Sequence, residues 1–521
     1  MARTGALVLL ACAIGVVTVR WGSFVAGGSD SACYATQAVR WAEVLKYPGS
    51  ASLQPSDPLA LAAPWPGAAF TFAPTGHVPS ETVPGAFVPI CPAGLPMVMA
   101  PLYLAGGPSL MFAVVPLFGV GLVLATYSLG ARFNSRVGVA AACLAAASPL
   151  FLYQVVQPMS DVPAAALWVA ATAWATGARP RDITLAGMAT SAAVLMRPNL
   201  VPLGFALGVY LLVRPERSAT VRVRSAVTYA LWSAPGCIAV AIIQRYFYGS
   251  PFASGYGSFD ALFAWSHVIP NLTRYATWLW EAHTPAIVLL LLAPVLLPGA
   301  LTALLLTLFA INLALFVPYV VFSDWSFTRF LLPTVPMLLV LVAAVLDSVV
   351  VRLFRSGISP GTRSAMTRSA VALGVVVSIV CALFVNQAIR RRAFELRSME
   401  QRFARAGRFV AERLPANAFM ITDYESGSIP FYSGRRTLAW SALDPAWLDR
   451  AIEFARESGF EPYLLFERWE EPQFRTRFGE SGVGRLDWPP MAEVATQVRI
   501  YRVSDRDRYR EGLAVPTEYA R

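Results

Sequence analysis

The chain has 521 residues, 56 % of them hydrophobic and only 14 % charged, where soluble domains carry roughly 25 % charged residues. With a mean hydropathy of +0.53, this excludes an ordinary soluble enzyme and describes a protein that crosses a membrane repeatedly. The net charge of +11 is carried largely by arginines between apolar runs, so it reflects topology and gives no reason to expect a nucleic-acid partner.

In chain order, apolar runs predict spans near residues 5–25, 108–131, 137–153, 162–177, 183–197, 199–213, 226–246, 284–297, 299–320, 329–351 and 367–388. Each approaches the ~20 residues that cover a ~30 Å hydrocarbon core, and together they make about eleven crossings. The first run, GALVLLACAIGVVTV, has no small-residue cleavage site after it and reads as a retained helix. It leaves through GGSDSACYATQAVRWAEVL, residues 27–45, where Ala35, Ala38, Val39, Ala42 and Leu45 recur at three- and four-residue spacing. That pattern predicts an amphipathic helix lying along the membrane surface.

The first outer loop, about residues 26–107, is rich in proline and glycine but also in aromatics, which predicts an ordered lid. Its apolar piece LPMVMAPLYLAGG is too short to span. A second outer segment, residues 249–283, carries Trp265, Trp278 and Trp280, residues suited to the water–lipid boundary, and predicts a further surface helix.

The composition changes after residue 388. Residues 389–414 read as an amphipathic connecting helix on a basic background, with Phe394, Phe403, Val410 and Leu414 as its apolar positions. Residues 415–521 alternate short apolar runs (AFMITD, TLAW, PYLLFE, QVRIYRV) with helical stretches (ESGSIPFYS, PAWLDRAIEFARES, EPQFRTRFGE), which predicts a small α/β domain. It has no G-x-G-x-x-G and no P-loop, so nothing there points to a nucleotide. The fold class expected is an all-α polytopic membrane domain, residues 1–388, followed by this α/β domain.

Short cytoplasmic loops are enriched in arginine. Arg132, Arg136, Arg179, Arg181, Arg214, Arg217, Arg222 and Arg224 share one side if the N-terminus lies inside, which places the C-terminal domain outside the cytoplasmic membrane. Cys12, Cys143, Cys237 and Cys381 fall in predicted spans and read as packing residues. Cys33 and Cys91 share the first outer loop and either pair or remain thiols, a choice that spacing does not decide.

The acids Asp30, Asp161, Glu281 and Asp324 sit at outer helix ends, avoiding the bilayer centre, where a charge costs about 2.5–3.5 kcal/mol. This confinement implies chemistry at one membrane face. Asp30, in S-D-S at a helix start, caps the helix or is free for chemistry, since Ser29 or Ser31 can cap in its place. Asp161, ahead of Val-Pro, has the competing role of a helix entry whose charge the helix dipole favours. Arg197 and Arg329 lie on the arginine-poor side, either snorkelling or partnering a phosphate. His77, His267 and His283 are too scattered for a zinc-ligand spacing, although His77 in the lid is a candidate phosphate or metal contact. Tyr256 in SGYG is a loop anchor or a pocket residue.

In order along the chain, Gly-Ser-Asp30-x-x-x-Tyr34, ICPAGLPMVMAPLYLAGG, SPLFLYQVVQPMSDVPAAAL, MRPN, GSPFASGYG and RFLLPTVPMLLVLVA resemble the GT-C membrane glycosyltransferases, in particular the bacterial relatives of protein O-mannosyltransferases and of the aminoarabinose transferase that modifies lipid A. Where many members carry a second acid beside the first-loop aspartate, Ser31 stands here. The resemblance implies transfer of a sugar from a polyprenyl-phosphate donor to a lipid, glycan or protein acceptor outside the cytoplasmic membrane, with inversion at the anomeric carbon and without a nucleotide sugar. It implies Asp30 as base or acceptor-orienting carboxylate and Asp161 as second carboxylate. Arg329, Arg197 and His77 would hold the donor phosphate, and Tyr34 and Tyr256 would line the pocket. These residues single out no cofactor, and a divalent metal is compatible with them.

Two other classes compete. A lipid-linked-oligosaccharide transporter would show internal repeats and mid-bilayer charges, and neither is evident. A non-catalytic membrane scaffold would use its outer domain to bind a glycan.

Overall fold

A computed structural model describes residues 2–214, 217–355 and 363–520. The apolar run at the N-terminus forms α1 (Ala2–Trp21), and after a short non-helical passage α2 (Asp30–Lys46) begins. The loop then builds a two-stranded antiparallel hairpin, β1 (His77–Pro79) with β2 (Phe87–Pro89). The bundle follows as α3 (Gly94–Met111), α4 (Val114–Gly130), α5 (Ser135–Ala147), α6 (Pro149–Val155), α7 (Asp161–Ala175), α8 (Pro180–Met196), α9 (Val201–Val213), α10 (Ala219–Tyr248), α11 (Val268–His283), α12 (Ala300–Phe316), α13 (Val335–Arg355) and α14 (Arg363–Arg390).

Among the described residues four helices, within α1, α10, α13 and α14, are long and apolar enough to cross a membrane unbroken. Three bent pairs raise this to seven: α3 with α4 at 89°, α5 with α6 at 60°, and residues 265–283 with 285–296 at 109°. The shorter helices α7, α8, α9 and α12 occupy the remaining predicted spans. The bends have chemical causes. Pro149 opens α6 directly after Ser148, and the α3 backbone breaks at Gly106 and Gly107. The piece LPMVMAPLYLAGG, too short to span by itself, is thus the first limb of a kinked pair. The Trp-rich segment forms a 3-10 turn, Trp265–His267, followed by α11, with Trp265 and Trp280 exposed.

The alanines of α2 lie buried against α3, the small side chains allowing close helix contact. Leu45, expected on the same face, is exposed, while Cys33, Tyr34 and Gln37 are buried as well. The helix is covered on more than one side because the rest of the chain returns over it.

The chain returns through α15 (Leu396–Arg413), which buries Phe403, Ala406, Phe409 and Val410 and sets Phe403 against Gly27 in the turn before α2. Beyond it lies one six-stranded sheet in the order β4-β3-β5-β7-β6-β8. Its strands are β3 (Ala418–Ile421), β4 (Arg436–Leu438), β5 (Glu461–Glu467), β6 (Ala492–Val494), β7 (Val498–Arg502) and β8 (Glu518–Ala520). β4, β3 and β5 run parallel, crossing over through α16 (Ser428–Ser433) and α17 (Leu448–Glu457). After β5 comes α18 (Glu471–Phe478), and β7 pairs antiparallel with both β5 and β6. The four strands and three helices predicted here are all present. β6 and β8, three residues each, carry no alternating pattern.

The long loop belongs to the same core as this sheet. Trp65, Phe72 and Phe87 from the loop pack in one cluster with Phe419, Trp440 and Phe466. Thr75 N–H donates to Ser426 Oγ at 2.9 Å, Thr75 Oγ1 donates to the Asp423 carbonyl at 2.9 Å, and Asp57 pairs with Arg436. The proline-rich lid is ordered because its aromatics have a partner core to enter.

Candidate functional site

Asp30 opens α2, and the turn that delivers it requires both preceding glycines. Gly28 has φ +56°, and a Cβ on Gly27 would lie 2.3 Å from the Phe403 ring of α15. Ser29 occupies the N-cap without a side-chain cap bond, and the Asp30 carboxylate accepts from Arg329 Nη2 at 2.8 Å. The carboxylate is thus drawn to a side chain 299 residues away and not to the start of its own helix.

Arg329 lies on a short 3-10 segment, Trp325–Leu331, whose N-cap Asp324 accepts from Ser326 N–H at 2.8 Å. Its guanidinium sits 5.2 Å from the Phe327 ring centroid and 5.5 Å from that of Phe330, cation–π contacts that hold it in place. Burial opposes its charge, but Asp30 and then Asp161 outweigh the burial and raise its pKa, so it stays protonated. Its Nε is enclosed without a partner.

Asp161, the first residue of α7, is fully buried and accepts from Arg197 Nη2 at 2.7 Å. Arg197 is set at the end of α8 by the proline that follows it. Its Nε donates to Ser160 Oγ at 3.3 Å, and Tyr34 on α2 donates its hydroxyl to the same oxygen at 2.7 Å. One serine therefore ties the Asp161–Arg197 pair to the helix that carries Asp30. The other Asp161 oxygen, Oδ2, is buried with no partner. Burial and then Asp30 raise the Tyr34 phenol above the ordinary tyrosine range.

Tyr256 senses the charges of both pairs. Burial first, then Asp30 and Tyr34, push its phenol up, against Arg197 and Arg329. As 42 % of the residue's surface is still open, it forms the rim of the site. Six of the seven residues singled out from the sequence thus act on one another here.

His77 differs. It lies on β1 with Nε2 3.4 Å from Gln37 Nε2, and its Nδ1 is enclosed without a partner. Burial, with a contribution from Arg40, lowers its pKa to about 4. A neutral imidazole has no charge to offer a phosphate, so His77 is the least suited of the three expected phosphate contacts. The arginines also stand differently from each other: Arg197 is bound to a buried aspartate, and Arg329 to a partly exposed one.

Cys33 and Cys91 form a disulfide, resolving the choice left open by their spacing. It fastens α2, three residues beyond Asp30, to the segment leading into α3. Ser160 and the aromatic wall beside Arg329 were not singled out from the sequence. Phe322 stacks on Phe327 at 3.8 Å and Phe316 on Phe330 at 4.7 Å, with Tyr319 edge-on to Phe330 at 5.8 Å. The signal lay in FVPYVVFSDWSFTRFLL, whose aromatic density exceeds what a plain span requires. Among the described residues no three His, Cys, Asp or Glu side chains gather as metal ligands.

Residues 104–243 match the family described as dolichyl-phosphate-mannose-protein mannosyltransferase. No curated protein matches the sequence as a whole or in part. Among solved structures the chain is similar to ArnT from Cupriavidus metallidurans in the apo state, at 13 % identity and a TM-score of 0.57, covering 96 % of this chain and 98 % of that one. It is similar at 13 % identity and a TM-score of 0.55, with the same coverage, to ArnT from that organism bound to undecaprenyl phosphate. The apo oligosaccharyltransferase of Archaeoglobus fulgidus aligns over 90 % of this chain and 70 % of its own, at 14 % identity and a TM-score of 0.51. The chain is a multi-pass membrane protein with the fold of the GT-C glycosyltransferases.

Proposed function

We propose that the chain transfers a sugar from a polyprenyl-phosphate donor to an acceptor on the outer face of the cytoplasmic membrane, with inversion. The observation that carries this reading is the pairing of Asp30 with Arg329 beside the Asp161–Arg197 pair, at the end of the bundle where the chain folds back over α2. The family match of residues 104–243 and the undecaprenyl phosphate bound to the similar ArnT support a lipid-phosphate donor.

In this reading the donor phosphate competes with Asp30 for Arg329 and frees the carboxylate. The acceptor hydroxyl attacks the anomeric carbon and passes its proton to Asp30, while the bond from that carbon to the phosphate oxygen breaks with both electrons leaving on the phosphate. Arg329 offsets the charge that grows there. The aromatic wall of Phe322, Phe327 and Phe330 offers apolar surface to the first prenyl units. Asp161 and Arg197 hold Ser160 and Tyr34 in place and add fixed charge.

The test is transfer from labelled polyprenyl-phosphate sugars, presented as a panel of hexosyl and pentosyl donors, by the full chain in nanodiscs with envelope lipids, glycans and proteins as acceptors. Asp30→Asn should lower the rate about 10²–10⁴-fold, the range of a lost general base. Transfer absent across the panel, or unchanged in Asp30→Asn, would overturn the proposal.

A further inference from the structure

The C-terminal sheet contains a second cleft, of about 550 Å³, within the size range of small-molecule sites. Its position follows from the topology. The chain passes from β3 to its neighbour β4 on one side and then crosses to β5 on the other, so β3 and β5 flank the point where the winding reverses. Open parallel sheets bind ligands beyond the carboxyl ends of the strands at such a point. The cleft is lined from there: Asp423 follows β3, Trp440 and Ser441 follow β4, and Trp469 and Glu470 follow β5.

The lining chemistry selects among ligands. Trp469 exposes 53 % of its surface, and its ring is held edge-on by Tyr424 at 5.4 Å. Trp440 is buried beneath the cleft floor, its ring packed edge-on to Phe474 at 5.6 Å. Asp423 accepts from Ser441 Oγ at 2.6 Å through Oδ1, which leaves Oδ2 for a hydroxyl, and Gln473 adds an exposed amide. Glu470 shapes the cleft by accepting the backbone N–H groups of Tyr424 at 3.0 Å and Glu467 at 2.8 Å. Arg477, the one cation in the lining, donates to the Leu443 carbonyl at 2.9 Å. Two carboxylates and a committed arginine disfavour a phosphate or nucleotide. An open indole face flanked by carboxylate, amide and hydroxyl groups suits a ligand with an apolar C–H face and a rim of hydroxyls.

We propose that this cleft binds an uncharged saccharide. The site is independent of the transfer reaction but adjoins it, because Tyr424, which holds Trp469, also packs on Phe403 at 5.5 Å and stands beside Gly28 in the turn before Asp30. A glycan held in the cleft is therefore kept near the turn that carries Asp30.

The experiment uses the full chain in nanodiscs, titrated with uncharged gluco-, manno-, galacto- and arabino-oligosaccharides and followed by saturation-transfer NMR. Saturable binding of at least one oligosaccharide is expected, weakened about tenfold or more by Trp469→Ala, the scale of a lost aromatic anchor, and largely retained in Trp469→Phe. Gln473→Ala, at an exposed position, should weaken binding without disturbing the fold, and Asp30→Asn should bind as the unaltered chain does even if it transfers nothing. No saturable binding by any oligosaccharide, binding indifferent to Trp469→Ala and Gln473→Ala, or a preference for peptides over sugars would overturn the proposal.

Discussion

The two ion pairs at the head of the bundle are alike in chemistry and length, 2.8 Å for Asp30–Arg329 and 2.7 Å for Asp161–Arg197, but not in surroundings. The side chains of the first pair expose 26 % and 17 % of their surface, and those of the second 0 % and 10 %. A carboxylate that water still reaches can change partners at little cost, whereas one sealed from water depends on its arginine. The partly exposed pair is therefore the exchangeable one, suited to opening for a substrate phosphate, and the buried pair is the frame that fixes Ser160 and Tyr34 beside it.

The sharpest way to break this contrast is to remove one arginine at a time. Arg197→Met leaves Asp161 charged and unpaired in the interior and should destabilise the fold by about 3–5 kcal/mol, read as a lowered thermal midpoint in detergent. Arg329→Gln should destabilise the fold by clearly less than Arg197→Met does, because water still reaches part of the Asp30 carboxylate it leaves behind. Equal losses from the two variants would dissolve the distinction.

A smaller effect is expected from the clamp on α2. Cys33→Ser with Cys91→Ser opens a disulfide whose cysteines are 58 residues apart, which should cost about 2–4 kcal/mol. The loosened helix carries Asp30, so transfer should fall further than stability alone explains, while the Asp161–Arg197 frame persists. Transfer that follows only the folded fraction would contradict that link.

A separate effect is a pH dependence outside the membrane part. Glu425 is buried and bonded to Ser428; burial raises its pKa from 4.5 to about 8, Glu467 and Glu470 adding to the rise and Arg402 opposing it. Because the folded pKa lies above the unfolded one, the folded state holds its proton while the unfolded state releases it. Stability of the C-terminal domain should therefore fall steadily from about pH 4.5 to about pH 8 and level off beyond. Glu425→Gln should flatten that slope, as measured by the thermal midpoint across pH. An unchanged slope would show that this carboxyl does not titrate as described.

Much of this was legible in the chain itself. Apolar runs, the shift in composition after residue 388 and four strand-like segments marked the membrane bundle and the α/β domain, because hydrophobic length and alternation are local properties. Asp30, Asp161, Arg197 and Arg329 stood out because charge is scarce at helix ends in such a protein. What remained hidden was pairing. Nothing local tells Arg197 to choose Asp161 and Arg329 to choose Asp30, because both choices depend on how α2, α7, α8 and the 325–331 turn pack. His77 looked available in a loop sequence, yet the packing of β1 on α2 encloses one of its ring nitrogens. The kinked pair α3–α4 was also obscured, since hydropathy reports apolar length and neither the kink at Gly106 and Gly107 nor the break between Met111 and Val114.

The most direct measurement is the affinity of undecaprenyl phosphate, without a sugar, for the full chain in nanodiscs. If Arg329 is the exchangeable cation, Arg329→Gln should weaken binding by at least about tenfold, in keeping with the loss of a charge-assisted contact. Asp30→Asn removes the carboxylate that competes for that arginine and should bind the lipid as tightly as the unaltered chain or more tightly, while losing transfer. Unchanged binding in Arg329→Gln, or weakened binding in Asp30→Asn, would contradict the exchange of partners on which the proposed reaction depends.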